Sequence, residues 1–199
     1  MHTANLSAEA LTDMMFGVGA LALKLPDHQI ISKGEKTMIN DVMQDAINKQ
    51  ITAELYSAYM YLSMAAYFEA KNLPGFANWL RVQFKEEQEH GLKFYDYLIE
   101  RGGRVELGEI AKPPTEWEGN LEAFQAVLEH EQKVTGLINK LYEVALKQKD
   151  YATQVMLQWF INEQVEEEKS AHDIIEQLLL IEARGTAVFM LDHQLGKRE

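Results

Sequence analysis

The sequence predicts an all-α fold: a four-helix bundle with one long crossover connection between helices two and three, plus a short C-terminal fifth helix. Three observations carry this expectation. Four stretches repeat apolar residues at three- and four-residue steps, the period of an amphipathic helix. Only four prolines occur in 199 residues, and Leu, Ala, Glu, Lys and Gln are abundant, which favours helix. The one long aperiodic segment lies between the second and third of these stretches, where a short turn would otherwise stand.

Residues 1–37 differ in character from the rest of the chain and are set apart as an N-terminal extension, leaving one domain over residues 38–199. Leu11 to Leu25 is moderately apolar but is interrupted by Asp13, Gly17, Gly19 and Lys24. A secretory leader opens on basic residues, and here none precedes Lys24, so secretion is disfavoured. Ser32-Lys33-Gly34-Glu35-Lys36 has linker character. The plainer reading is an appendage: a leader, a tag or a mis-assigned start ahead of Met38, poorly ordered. A short amphipathic docking helix is the sharper alternative.

The first bundle helix is expected over about residues 40–70, with Ile47, Ile51, Leu55, Ala58, Leu62 and Ala65 as its apolar stripe and Glu54 inside that stripe. Lys71-Asn72-Leu73 breaks it, and Pro74 suits the first turn of an antiparallel second helix that ends near Gly102-Gly103. The aperiodic segment runs on to about Asn120 and contains Pro113-Pro114. A helix of about 28 residues spans ~42 Å. An extended segment of about 17 residues reaches ~56 Å, so the crossover can traverse the bundle and set helices two and three parallel. The third helix is expected from about Leu121 to Lys147, on Phe124, Val127, Leu128, Val134, Ile138, Leu141 and Ala145, with Glu131 among them. A tight turn near Lys149-Asp150 leads into the fourth, to about Leu180, whose stripe is Leu157, Phe160, Gln164, Glu167, Ala171, Ile174 and Leu178. Thr186 is expected to cap a short fifth helix through Leu195. Its run Ala187-Val188-Phe189-Met190-Leu191 is too apolar to stay uncovered. Because the bundle is already complete, that helix is expected to serve assembly rather than the subunit fold.

Composition removes several functions. With no cysteine there can be no disulfide scaffold, iron–sulfur cluster, thiolate zinc site or cysteine nucleophile. The same absence fits a reducing compartment, and a cytoplasmic location is expected. A formal net charge of −12 repels phosphate backbones and attracts cations, so no nucleic-acid partner is expected. No apolar run reaches the roughly 18 residues of a membrane span, so no membrane is expected either.

The chemistry concentrates in Phe84-Lys85-Glu86-Glu87-Gln88-Glu89-His90. Glu87 and His90 are three apart, hence on one helix face, and Leu80, Phe84, Phe94 and Leu98 make that face apolar. A buried carboxylate and imidazole need partners. Glu54, Glu87, His90, Glu131, Gln164 and Glu167 lie at similar depths along their four helices, so in a bundle they meet in a small volume. Without cations the cluster repels itself, and two divalent ions would neutralise it. Mixed carboxylate and imidazole donors suit iron or manganese better than calcium. Each residue has a plainer reading: Glu54 as a boundary residue, Glu131 on a solvated face beside His130 and Gln132, Glu166-Glu167-Glu168-Lys169 as surface charge, Tyr61 and Trp159 as core aromatics. Those plainer readings must hold on four helices at once, and the joint pattern is far more specific than any part.

Three strings carry a resemblance: Glu54-Leu55-Tyr56-Ser57-Ala58-Tyr59, Glu86-Glu87-Gln88-Glu89-His90, and the run from Gln158 through Glu163-Gln164-Val165-Glu166-Glu167-Glu168 to Lys169. From Met38 to Glu199 the chain resembles the bacterial and archaeal non-haem ferritins, in the ferritin-like di-iron family. The resemblance implies one iron site at Glu54, Glu87 and His90. It implies a second at Glu87, Glu131 and Glu167, with Glu87 bridging, Gln164 beside them and Tyr61 next to the centre. It implies an accessory third site at Glu86, Glu163 and Glu166. The activity implied is ferroxidase, Fe(II) to Fe(III) with O2 or H2O2 as oxidant, feeding a mineral core inside a hollow homo-oligomeric shell of 24 subunits whose four-fold axes the fifth helix lines. Haem is not expected. Gln88 stands where bacterioferritins place a methionine ligand, and Gln164-x-x-Glu167 replaces their second Glu-x-x-His. Rubrerythrin-like peroxidases usually carry a cysteine-ligated iron domain, and the DNA-protecting mini-ferritins lack a long fifth helix. Two other classes use the same residues: a small di-iron oxidase or peroxide-scavenging enzyme that stores nothing, and a structural helical assembly with a vestigial site. Tyr61, Phe84, Phe94 and Phe160 are expected to close the substrate pocket the oxidase would need, and the intact donor set disfavours a vestigial site.

Overall fold

The computed structural model describes residues 39–181 and 185–198. The expectations for residues 1–37, extension and docking helix alike, lie outside the described residues. The described residues form five helices and no strand: α1 (Asp41–Ala70), α2 (Pro74–Glu100), α3 (Asn120–Gln148), α4 (Tyr151–Ile181) and α5 (Gly185–Leu195). No helix among them is long and apolar enough to cross a membrane.

Local chemistry sets each boundary. The Asn40 side chain accepts from the Met43 N–H at 2.9 Å, satisfying one of the free donors at the start of α1. Asn72 takes the left-handed conformation (φ 55°) that lets the Leu73 N–H close back on the Phe68 carbonyl. Gly102 does the same after α2 (φ 69°), where the Gly103 N–H reaches the Leu98 carbonyl. At the α3–α4 turn Lys149 is left-handed (φ 54°), and Asp150 caps α4 by accepting from the Thr153 N–H at 3.1 Å. Both oxygens of Asp150 also accept from the Arg101 guanidinium at 3.0 Å, which ties the end of α2 to the start of α4.

The crossover lies extended along α1. The Asn48 amide donates to the Arg104 carbonyl and accepts from the Glu106 N–H; Thr52 accepts from the Gly108 N–H; the Ser63 and Tyr67 hydroxyls donate to the carbonyls of Pro114 and Trp117. Partners on α1 therefore advance from one end of the helix to the other as the chain proceeds. The segment delivers α3 to the end where α2 began, as the length arithmetic requires, and α2 and α3 run parallel.

The core is in two halves. One packs Met64, Phe68, Phe76, Leu80, Phe124 and Ile174. The other packs Ile47, Ile51, Phe94, Val134, Leu157 and Phe160. Glu54, Glu87, Glu131 and Glu167 occupy the break between them on their respective helices. The stripes hold with one exception: Leu62 is 40 % exposed, because α1 turns Glu54, Ala58, Tyr61, Ala65 and Phe68 inward and leaves Leu62 outside.

α5 differs from expectation in two ways. It begins at Gly185, so Thr186 lies in its first turn rather than at its cap. It is also part of the subunit. Leu191 and Leu195 are buried in the first half-core. Asp192 Oδ1 accepts from the Gly75 and Phe76 N–H groups at 2.7 and 3.0 Å, capping α2 from a distance where Leu73 supplies no side-chain cap. A Cβ on Gly75 would lie 1.6 Å from the Asp192 carbonyl oxygen, so glycine is required for α5 to rest on that turn. Phe189 and Met190, on the opposite side, remain exposed.

Candidate metal centre

The layer between the two half-cores is made of polar side chains with almost no access to water. Glu54 and Glu87 are each 1 % exposed and Glu131 is fully buried; His90, Gln164 and Glu167 are buried as well. Helix periodicity puts them there, since each stands in register with the apolar residues above and below it.

The donors fall in two linked groups. Glu54, Glu87 and His90 each offer a ligand atom, all within 4.8 Å of one another, and His90 Nδ1 is 3.6 Å from Glu87 Oε2. On the α3–α4 side, Glu131 accepts from the Tyr61 hydroxyl and, at 3.1 Å, from the Gln164 amide. Glu167 Oε2 accepts from Gln83 Nε2 at 2.8 Å, and Glu54 Oε1 from Gln50 Nε2 at 2.9 Å. Two buried oxygens, Glu54 Oε2 and Glu87 Oε2, receive no hydrogen bond from an N–H or hydroxyl donor, and the two carboxyls can satisfy each other only by holding a proton between them. Orphaned carboxylate oxygens in a dry interior are costly, and a cation would satisfy both.

The electrostatics agree. Burial drives Glu54 up to about 7, with the charge of Glu131 adding to it. Burial, then the charge of Glu131, drives Glu167 up to about 8. Glu87 rises well above the carboxylate range through burial and then through Glu131, Glu54 and Glu167, and Glu131 rises mainly through burial. His90 falls to about 4 because burial disfavours its cation and Lys93 is close by. A layer of protonated carboxylates and a neutral imidazole can take up divalent cations by releasing protons. Oxygen and nitrogen donors of this kind suit iron.

Glu86, Glu163 and Glu166 lie at the margin of this layer. Glu163 and Glu86 are half-buried and Glu166 is exposed. Burial raises Glu163, and the charges of Glu166 and Glu86 add to it. Glu163 also offers an oxygen within 4.8 Å of donor atoms of His90 and Glu167, so it stands nearer the buried group than the sequence alone suggested. A surface cleft of about 490 Å³, lined by Glu86, Glu89, His90, Lys93, Trp159 and Glu163, leads to His90. Around the layer, Tyr61, Phe94 and Phe160 are fully buried and Phe84 is half-buried, and Phe160 packs against His90 with ring centroids 5.9 Å apart. Trp159 is 38 % exposed and stacks edge-on against His90, so it is not a simple core aromatic. His130 is buried, with Nε2 2.8 Å from the Ser57 hydroxyl, so His130 and Glu131 lie off the solvated face of α3, on which Gln132 stands.

Sequence reasoning missed Gln50 and Gln83. Both had a signal: each stands four residues before a buried glutamate, Glu54 or Glu87, and so shares its face. It also missed Arg198, which bonds Gln83 and Glu86 from a polar tail with no periodicity.

The family model described as Ferritin-like domain matches residues 44–181. The bacterial non-heme ferritin of Bacteroides fragilis (strain 638R) is 43% identical over 161 residues, covering 81% of this chain and 100% of that protein. The bacterial non-heme ferritin of Staphylococcus aureus (strain USA300) is 37% identical, covering 81% of this chain and 97% of that protein. Among solved structures, an open-pore ferritin from the hyperthermophilic archaeon Archaeoglobus fulgidus superposes with a TM-score of 0.80 at 51% identity, over 81% of this chain and 99% of that one. A closed form of the same archaeal ferritin, engineered by site-directed mutagenesis, superposes equally well. With the family model over residues 44–181 and these relatives matched over most of its length, the chain belongs to the ferritin family.

Proposed function

We propose that this protein stores iron in the cytoplasm, oxidising Fe(II) at the buried layer and holding Fe(III) as a mineral inside a shell of 24 copies. The observation that carries the proposal is the set of four buried carboxylates and one imidazole between the two half-cores, with Glu54 Oε2 and Glu87 Oε2 reached by no N–H or hydroxyl donor. Glu54, Glu87 and His90 would hold one Fe(II), and Glu87, Glu131 and Glu167 a second, with Gln164 steadying Glu131 and Tyr61 beside it. Glu86, Glu163 and Glu166 would form the accessory site. Family membership supports storage, because the bacterial relatives are named ferritins.

The residues do three things in this reading. The glutamates give up protons as Fe(II) binds, so entry of the substrate creates the charge that holds it. Glu87, shared between the two sites in this reading, would keep the two ions adjacent. One electron from each then reduces dioxygen to peroxide, or peroxide to water, with protons taken up by the oxidant. Buried Phe94 and Phe160 limit water at His90. Haem is not part of the proposal, because Gln88 is an exposed amide and offers no thioether.

The test is anaerobic Fe(II) titration followed by rapid mixing with oxygen. Two tightly bound Fe(II) per chain, a fast oxidation phase proportional to them, and a large particle retaining hundreds of irons are expected. A small particle with only a stoichiometric pair would replace storage with a soluble oxidase. No tight pair would overturn the centre.

A further inference from the structure

Arg198, three residues beyond α5, reaches back to the wall of the metal layer. Its Nη2 donates to Glu86 Oε2 at 2.6 Å, and its Nη1 donates to Gln83 Oε1. The guanidinium carbon lies 4.7 Å from the Trp79 ring centroid, and the Arg198 carbonyl accepts from the Asn78 amide at 2.9 Å. Four residues of α2 therefore hold this one side chain and its backbone in place.

Two consequences arise from donor and acceptor chemistry. A guanidinium only donates, so Gln83 must present its carbonyl oxygen to Arg198. Gln83 is fully buried, and its NH2 is thereby turned toward Glu167 Oε2 at 2.8 Å. Arg198 thus fixes the polarity of the amide that orients Glu167. Second, Glu86 already has a cation. Resting on the ferroxidase reading, which assigns Glu86 to an accessory metal site with Glu163 and Glu166, we infer that Arg198 is a tethered cation that competes with a divalent metal ion for Glu86 and, through Gln83, is a positioning residue for Glu167. A third ion binds fully only when Arg198 lets go. The tail is a built-in brake on accessory-site occupancy, and the paired centre fills first.

The test uses Zn(II), which does not turn over, added to the full-length metal-free protein in a calorimeter. Binding to a site that is competent only part of the time is weakened by that fraction, so Arg198→Gln should tighten the third class of binding at least about fivefold. The paired class should keep its stoichiometry but bind more weakly, because the amide that orients Glu167 is released, and an unchanged paired affinity overturns the positioning role; Arg198→Lys, which retains a cation, should stay near the parent in the third class. Equal third-class affinity in the parent and Arg198→Gln, or no third class in either, overturns the brake. A missing paired class in the parent would instead defeat the ferroxidase reading, which leaves the two failures distinguishable. A second measurement reads Trp79. The guanidinium lies over Trp79, whereas Trp159 lines the cleft with Glu86 and Glu163, so tryptophan emission is followed in a Trp159→Phe protein, where it should change as the third equivalent of Zn(II) binds. An unchanged emission at that equivalent means that Arg198 does not move, and it too overturns the proposal.

Discussion

Glu87 Oε2 is reached by no N–H or hydroxyl donor in a dry interior, and burial followed by Glu131, Glu54 and Glu167 opposes ionisation of its carboxyl. Replacing Glu87 by Ala should abolish paired metal binding and fast oxidation together. The same change should leave the metal-free fold as stable as the parent or slightly more so, since it removes a carboxyl whose burial is costly and whose ionisation its neighbours oppose. Thermal melts with and without Fe(II) under anaerobic conditions check this. Metal should raise the parent's midpoint by linkage and raise that of Glu87→Ala far less; equal gains would count against Glu87 as a shared ligand. The pH dependence arises from the same residues. Glu54 and Glu167 are raised to about 7 and 8, so the folded state holds their protons longer than the unfolded chain does, and stability falls as pH rises through that range. His90 and His130 are lowered to about 4, which has the opposite sign and acts between there and the ordinary histidine value near 6.5. The two effects oppose each other below about pH 6.5, and only the carboxylates remain above it. The metal-free midpoint should therefore decline between about pH 6.5 and 8.5, and a flat or rising curve there would contradict the buried protonated layer. At this scale the glutamates and His90 were legible because a charge inside a 3.6-residue apolar stripe stands out. Gln83 and Arg198 were not. Nothing in a sequence says which acceptor an amide faces, and Arg198 acts across more than a hundred residues of chain.

Elements were legible to within a residue or two wherever turn chemistry is local. Asn72, Gly102 and the capping Asp150 mark their turns by residue type, and the crossover could be read from its length alone. Two features were not local. Leu62 fits an apolar repeat yet points outward, because the inward face of α1 is defined by its neighbours and not by hydropathy. The start of α2 has no cap nearby in sequence, since the cap is Asp192 on α5. Losing a cap costs about 1–2 kcal/mol, so Asp192→Ala should lower the thermal midpoint of the protein even though the residue lies far from the metal layer. Gly75→Ala should cost more, because a methyl group there would overlap the Asp192 carbonyl and lift α5 off α2. Calorimetric melts of both variants at one protein concentration test the order; a Gly75→Ala protein as stable as the parent would mean that α5 does not rest on the first turn of α2.

For the whole molecule, exposed apolar side chains show what one chain leaves undone. Tyr59, Leu62, Leu180, Phe189 and Met190 are all well exposed on a single subunit, and a soluble protein seldom leaves so much apolar surface bare. Self-association covers it at no cost in new sequence, and the proposed shell provides it. Removal of residues 1–37 should leave oxidation rate and particle size unchanged, because no proposed donor precedes Glu54; a smaller particle from a chain starting at Met38 would show that the segment docks at an interface. The role of α5 in assembly needs a sharper experiment than deletion. Cutting the chain at Gly185 also removes the cap on α2 and two buried leucines, so a failed assembly would have two explanations. Phe189 and Met190 separate them, being 65 % and 72 % exposed on the side of α5 that faces away from the subunit, whereas Leu191, Asp192 and Leu195 face in. Changing both to Glu leaves the inward contacts intact and places two charges where a neighbouring copy would pack. The helical content of the variant should match the parent by circular dichroism, while sedimentation should show smaller particles or a shell that dissociates on dilution. If Phe189→Glu/Met190→Glu still sediments as the same closed particle, α5 belongs to the subunit alone and another exposed surface closes the shell.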